Sequence, residues 1–130
     1  ESFLKIDYDN IESWEKIGSL YLKINFYSLA KDALEKAIKL GSYNKETWTN
    51  YIDSLLFLKR WEAAYELAEE AKKHFPLDNS IDYRIAGCFL KMGKYFKAKN
   101  YFKNFTKKNS KAPNSLKKLF PEFSQVEKKK

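Results

Sequence analysis

Apolar and polar positions along the chain follow a helical rhythm. Trp14, Ile17, Leu20, Tyr21 and Ile24 recur at intervals of three and four, the spacing of one face of a 3.6-residue helix. After a short gap, Tyr27, Ala30, Ala33, Leu34, Ala37 and Ile38 repeat that spacing. Breakers separate the runs: Asn25, the Gly41-Ser42 pair, Pro76 with Asp78-Asn79, Gly93, and Ser110 with Pro113. No stretch alternates long enough to make a strand. The pattern predicts an all-α protein built from amphipathic helix pairs joined by tight turns.

The rhythm itself repeats. Trp14 and Trp48 lie 34 residues apart, as do Ile17, Tyr51 and Ile85 in turn. Tyr21, Leu55 and Phe89 form another column at this interval, followed by Ile24, Leu58 and Met92. Tyr27, Trp61 and Tyr95 come next, then Ala30, Ala64 and Ala98. Leu34, Ala68 and Phe102, and lastly Ala37, Ala71 and Phe105, complete the register. It divides the chain into repeats 11–44, 45–78 and 79–112. A fixed period of this length means one helical hairpin that buries its apolar face by stacking on copies of itself.

The octet WEKIGSLY (14–21) carries the pattern W-x2-L-G-x2-Y with Ile for Leu as its one change, and Ala30 with Leu34 continues as A-x3-F does. In these residues the chain resembles the tetratricopeptide repeat (TPR) family. The second repeat keeps Trp48, Leu55, Ala64, Ala71 and Pro76 but puts Ile52 in the glycine column. The third has Asp82 in the Trp column and Ala86 in the glycine column, and Ser42 and Ser110 stand where the pattern has proline. The resemblance implies a TPR-type α-solenoid of antiparallel helix pairs, with Gly18 leaving room for Ala30 across the hairpin. Read backward in register, FLKIDYDN (3–10) fits the tail of a preceding helix, so residues 1–10 read as part of an earlier repeat and the chain as an excerpt of a longer array. Residues 113–130 read as a capping helix and a basic tail, with Asn114 or Ser115 as N-cap. Leu116, Leu119, Phe120 and Phe123 form the cap's apolar face, Pro121 ends that helix or starts a second turn, and VEKKK (126–130) forms the tail.

Composition narrows the chemistry. The chain is 44% hydrophobic and 32% charged, too apolar for disorder, and no apolar run approaches the roughly 20 residues of a membrane helix. No signal peptide is visible, which slightly favours a cytoplasmic setting. A single cysteine, Cys88, and a single histidine, His74, leave neither an internal disulfide nor a Cys/His zinc site. Cys88 adjoins the core-facing Phe89 column and reads as a small buried hydrophobe. His74 sits in a last helical turn, where a cation meets the helix dipole favourably. Glu66, Glu69 and Glu70 read as a solvated face paired with following lysines. No catalytic residue, metal ligand or cofactor is expected.

Charge is unevenly spread: residues 1–70 hold 9 Lys/Arg against 13 Asp/Glu, and residues 71–130 hold 16 against 4. The basic stretch 94–108 places Ala98, Tyr101, Phe102 and Phe105 on one arc and Lys99, Lys103 and Lys107 in a separate stripe. That segregation predicts a core-facing helix with a lysine edge that could guide an acidic protein partner. A surface for nucleic acid or anionic membrane is the rival reading, and self-association through terminal repeat faces is another.

What the resemblance implies about function is non-catalytic protein binding, as a scaffold or adaptor that holds a peptide or partner protein in a concave groove lined by the first helix of each repeat. On the groove columns stand Lys16, Asn50, Asp53, Tyr83 and Arg84. Asn50 can hydrogen-bond a peptide backbone in both directions, Tyr83 offers rigid contact area, and Arg84 can pair bidentately with a carboxylate. The carboxylate clamp that grips chaperone C-terminal tails is matched only at Asn50 and Arg84. Glu15, Ser19 and Ser80 break it, and Glu15 would repel the carboxylate, so a chaperone tail is not the expected partner.

Overall fold

Every repeat opens with the same device in the computed structural model, which describes residues 10–108 and 110–128. Asn10, Asn44 and Asp78 stand 34 residues apart, directly ahead of α1 (Ile11–Lys23), α3 (Lys45–Phe57) and α5 (Asn79–Lys91). Each side chain accepts a hydrogen bond from the backbone two residues on: from Glu12 at 2.9 Å, Glu46 at 3.0 Å and Ser80 at 2.9 Å. Each bond satisfies an amide that the helix cannot, a contribution of about 1 kcal/mol per cap.

The first helix of each repeat also ends in a shared way. Asn25, Lys59 and Gly93 occupy one column and all adopt a left-handed backbone, with φ of 67°, 61° and 80°. At Asn25 the Phe26 amide donates to the Tyr21 carbonyl at 2.9 Å and the Asn25 amide to Leu22 at 3.1 Å. At Gly93 the same pair of bonds runs from Lys94 to Phe89 at 2.8 Å and from Gly93 to Leu90 at 3.1 Å. This is the Schellman closure, which reverses the chain while satisfying helix-end carbonyls. The second helices follow: α2 (Tyr27–Lys39), α4 (Trp61–His74) and α6 (Tyr95–Lys107), whose first residues also stand 34 apart. The described residues contain no strand.

Contacts divide the chain into an N-terminal unit, Glu1–Leu58, and a C-terminal unit, Lys59–Lys130. In the N-terminal unit α1 packs on α2, α2 on α3, and α1 touches α3. Ala30, Ala33, Leu34 and Ala37 of α2 are all buried. Gly18 is the point of closest approach, but the residue it makes room for is Leu34, not Ala30. A Cβ on Gly18 would lie 2.5 Å from both Cγ and Cδ2 of Leu34. The Leu34 backbone nitrogen also comes within 3.4 Å of that Cβ, so the glycine notch faces α2 at Leu34 itself.

In the C-terminal unit α4 packs on α5 and α5 on α6. The segment expected to cap the array forms two pieces, α7 (Asn114–Lys117) and α8 (Pro121–Lys128), divided at Pro121 as its place in the sequence leads one to expect. Pro113 occupies the cap position of α7, and neither Asn114 nor Ser115 supplies a side-chain cap. Pro121 explains the break: lacking an N–H and clashing with the preceding turn, it cannot sit inside a helix but is well suited to start one. Residues 126–128 of the expected tail continue α8. Residues 1–9 and 129–130, and with them the expected tail of a preceding helix, lie outside the described residues.

The broken cap keeps the repeat register. Leu116, Leu119, Phe120 and Phe123 stand 34 residues after Asp82, Ile85, Ala86 and Phe89. Leu116, Phe120 and Phe123 are buried. Phe120 meets the backbone of α5 at Gly87, where an added Cβ would lie 2.3 Å from the ring.

These contacts set an expectation for Gly18→Ala. Helix propensity alone favours the change by about 1 kcal/mol, but the new methyl collides with a fully buried leucine, and overpacking of this kind costs about 1–3 kcal/mol. Urea unfolding of the variant should show a net loss of stability. Combining it with Leu34→Ala should cost less than the sum of the two single losses.

Candidate functional site

The five groove candidates fall in two units: Lys16, Asn50 and Asp53 in the first, Tyr83 and Arg84 in the second. In the N-terminal unit Lys16 is exposed on α1 and Asn50 half-buried on α3. Asp53 is only 5% exposed and is engaged within the protein.

Glu15, beside Lys16, has a structural duty. Its Oε2 accepts hydrogen bonds from the Ser42 hydroxyl and, at 2.9 Å, from Thr47 Oγ1. The Trp48 indole N–H donates to the Ser42 carbonyl at 3.0 Å. Ser42, which replaces the family proline, and Glu15, which breaks the clamp pattern, are thus two parts of one polar joint between the first and second repeats.

The C-terminal unit corrects the expectation for Tyr83. It is 1% exposed, with its ring 5.1 Å from Phe105, 5.5 Å from Phe123, 5.9 Å from Phe120 and 6.4 Å from Phe102. Tyr83 is a core residue, because the segment bearing Phe120 and Phe123 covers it. Arg84 is also buried, at 6% exposure. Its guanidinium folds back along α5 and donates to the Ser80 carbonyl at 3.2 Å and the Ser80 hydroxyl at 2.8 Å. That hydroxyl in turn donates to the capping carboxylate of Asp78 at 2.7 Å. Arg84 therefore braces the start of its own helix rather than standing open to a ligand.

Asp82, the departure at the Trp column, pairs with Lys72 of α4. Its side chain is 4% exposed. The register positions held by Lys72 and Asp82 are held one repeat earlier by Ile38 and Trp48. An apolar pair of positions has become a charged pair, a compensation visible in the columns only when both are compared together.

Reactive chemistry is suppressed elsewhere. Cys88 is fully buried, and burial pushes its thiol from 9.0 up to about 12, so it stays protonated and unreactive. Tyr51 is pushed up to about 12 by burial first, then by the charge of Glu35 and a hydrogen bond to it. Tyr65 is likewise raised to about 12, chiefly by its 2.6 Å hydrogen bond to Glu69. His74 Nε2 lies 3.7 Å from Glu70 Oε2 at the end of α4. Among the described residues no group of three His, Cys, Asp or Glu could hold a metal ion, and no helix is long and apolar enough to cross a membrane.

Sequence reasoning placed the break at Pro121 but missed the feature it creates, a groove of about 810 Å³ along α6 and α8.

Two expectations follow. Lys72→Ala leaves the Asp82 carboxylate buried without its partner and should cost about 3–5 kcal/mol, whereas Lys72→Ile/Asp82→Leu, restoring an apolar pair, should unfold close to wild type. Denaturant titration of the three proteins checks this. Alkaline stability is the second. Cys88, Tyr51 and Tyr65 all have folded pKa values raised above their ordinary ones. Their neutral forms are favoured by folding, so the associated stability is complete below pH 9 and is lost as pH rises toward 12. Tyr51→Phe and Cys88→Ala should each flatten the fall of stability measured between pH 9 and 12.

No protein-family profile matches the chain, and no curated protein does. Solved structures match over most of its length. A MamA structure aligns with a TM-score of 0.72 at 20% identity, over 76% of this chain and 58% of that one. MamA of MSR-1 gives 0.72 at 22%, over 80% and 62%. YrrB, a TPR protein with an unusual peptide-binding site, gives 0.70 at 22%, over 78% and 52%. The chain thus spans 58% of the first of these MamA structures. At these identities the likeness is one of fold, and it agrees with the 34-residue period, the Asx caps and the left-handed turns: the chain has the all-α helical-repeat fold of the tetratricopeptide repeat.

Proposed function

We propose that the chain is a non-catalytic protein-interaction scaffold that holds a peptide segment against the first helices of its repeats. The observation that carries this reading is the division of labour along α1. Gly18 is given to packing and Glu15 to the repeat joint, while Glu12, Lys16 and Lys23 are exposed and Ser19 is half-buried beside them. This polar surface corresponds to the one that lines the groove in TPR proteins, and YrrB is a TPR protein with a peptide-binding site. Within the proposal, Lys16 and Asn50 contact the partner. Asp53, buried on α3, supports the helix that presents Asn50, and Arg84 braces the start of α5.

A second reading, a surface for nucleic acid or anionic membrane, draws on Tyr95 and Phe96, which are 68% and 76% exposed between Lys94 and Lys97. Exposed rings beside lysines are what a single-strand binder uses. Steep loss of oligonucleotide binding with salt would mark that surface.

Peptides selected from an array on the wild-type protein should bind Lys16→Glu/Asn50→Ala at least about tenfold more weakly, a loss of about 1.4 kcal/mol. Equal affinity for both proteins would remove these two residues from the site.

A further inference from the structure

The groove along α6 and α8 lies entirely within the C-terminal unit. Leu90, Ala98, Phe102 and Phe123 give it an apolar floor. Phe102 and Phe123 stack with centroids 4.4 Å apart and planes 7° from parallel. Tyr95, largely exposed, lines the groove at the first residue of α6. Along one side run Lys99, Lys103 and Lys107, all exposed, and Glu122 is the single acid in the lining. The lysines are four residues apart, so they cover about 12 Å of helix with one charge per turn. Around them the field has one sign: residues 94–118 contain nine lysines and no acid.

We propose that this groove docks an acidic amphipathic helix of a partner protein. Its apolar residues would pack against Tyr95 and Leu90 above the buried Ala98, Phe102 and Phe123, and carboxylates spaced one turn apart would meet Lys99, Lys103 and Lys107. The argument is charge complementarity over an apolar floor. Phe102 and Phe123 are buried and stacked on each other, so they offer no free faces to nucleic-acid bases. The site shares no residue with the one assigned to Lys16 and Asn50, and it goes beyond the function proposed above.

The test is selection of a phage-displayed library of 16-residue peptides on the whole chain. Enriched sequences should carry apolar residues at helical spacing flanked by Asp or Glu. Made synthetically, they should bind Lys99→Glu/Lys103→Glu at least about tenfold more weakly, and Tyr95→Ser more weakly at unchanged charge. All three positions are exposed, and circular dichroism checks that the variants keep the fold. Lys16→Glu/Asn50→Ala should bind these peptides as wild type does, so this site and the first-helix site fail separately. Enrichment of sequences without net negative charge, or none at all, would overturn the proposal, as would peptides indifferent to the lysine reversal. Binding of phosphatidylserine vesicles or a 20-nucleotide oligothymidylate that alone responds to the reversal would assign the stripe to lipid or nucleic acid instead. A self-association abolished by the reversal would assign it to a second copy.

Discussion

Neither helix of a repeat can bury its apolar face alone, so the structure depends on the turn that folds the second helix back onto the first. That turn needs one residue with a left-handed backbone. Asn25 in the N-terminal unit and Gly93 in the C-terminal unit supply it at a single column, with φ of 67° and 80°, and Lys59 in the same column also adopts a left-handed backbone, φ 61°. The three residues share no side-chain chemistry, so the column is defined by conformation. Glycine adopts it without steric penalty, asparagine at modest cost, and lysine at about 1–2 kcal/mol, which the surrounding packing must offset.

Once the turn is fixed, the rest of the register follows. The Asx caps start each first helix at the same phase, and the phase places small residues where backbones approach. Between repeats the solutions differ. The first joint uses Glu15, Ser42, Thr47 and the Trp48 indole, all hydrogen-bonded. Within the C-terminal unit, the Lys72–Asp82 pair stands at positions that are Ile38 and Trp48 one repeat earlier. The repeat specifies where two helices meet and leaves open which chemistry joins them.

This separation explains what could be read from the sequence. The period, helix order and turns were legible because they rest on local spacing, and the burial of Cys88, Ala98, Phe102 and Phe105 followed from it. What depends on a distant segment was not legible. Tyr83 reads as a groove residue from its column and becomes core because Phe120 and Phe123 arrive from a cap broken by Pro121. Gly87, likewise, is where Phe120 touches α5. Even the Gly18 notch was legible as a notch but not as to its occupant, since which residue of α2 faces it depends on how the two helices pack. The candidate site suffers most: the column of a residue fixes its place on a helix, not what lies over it.

The turn at Gly93 offers the most direct test, because a Cβ there meets nothing within 4 Å and only backbone conformation is at stake. Two proteins assembled by ligation, one with L-alanine and one with D-alanine at position 93, should be compared by urea unfolding. A left-handed requirement predicts that L-alanine lowers stability by about 1–2 kcal/mol and that D-alanine matches or exceeds the wild type. Equal losses from both enantiomers, or no loss from L-alanine, would contradict it.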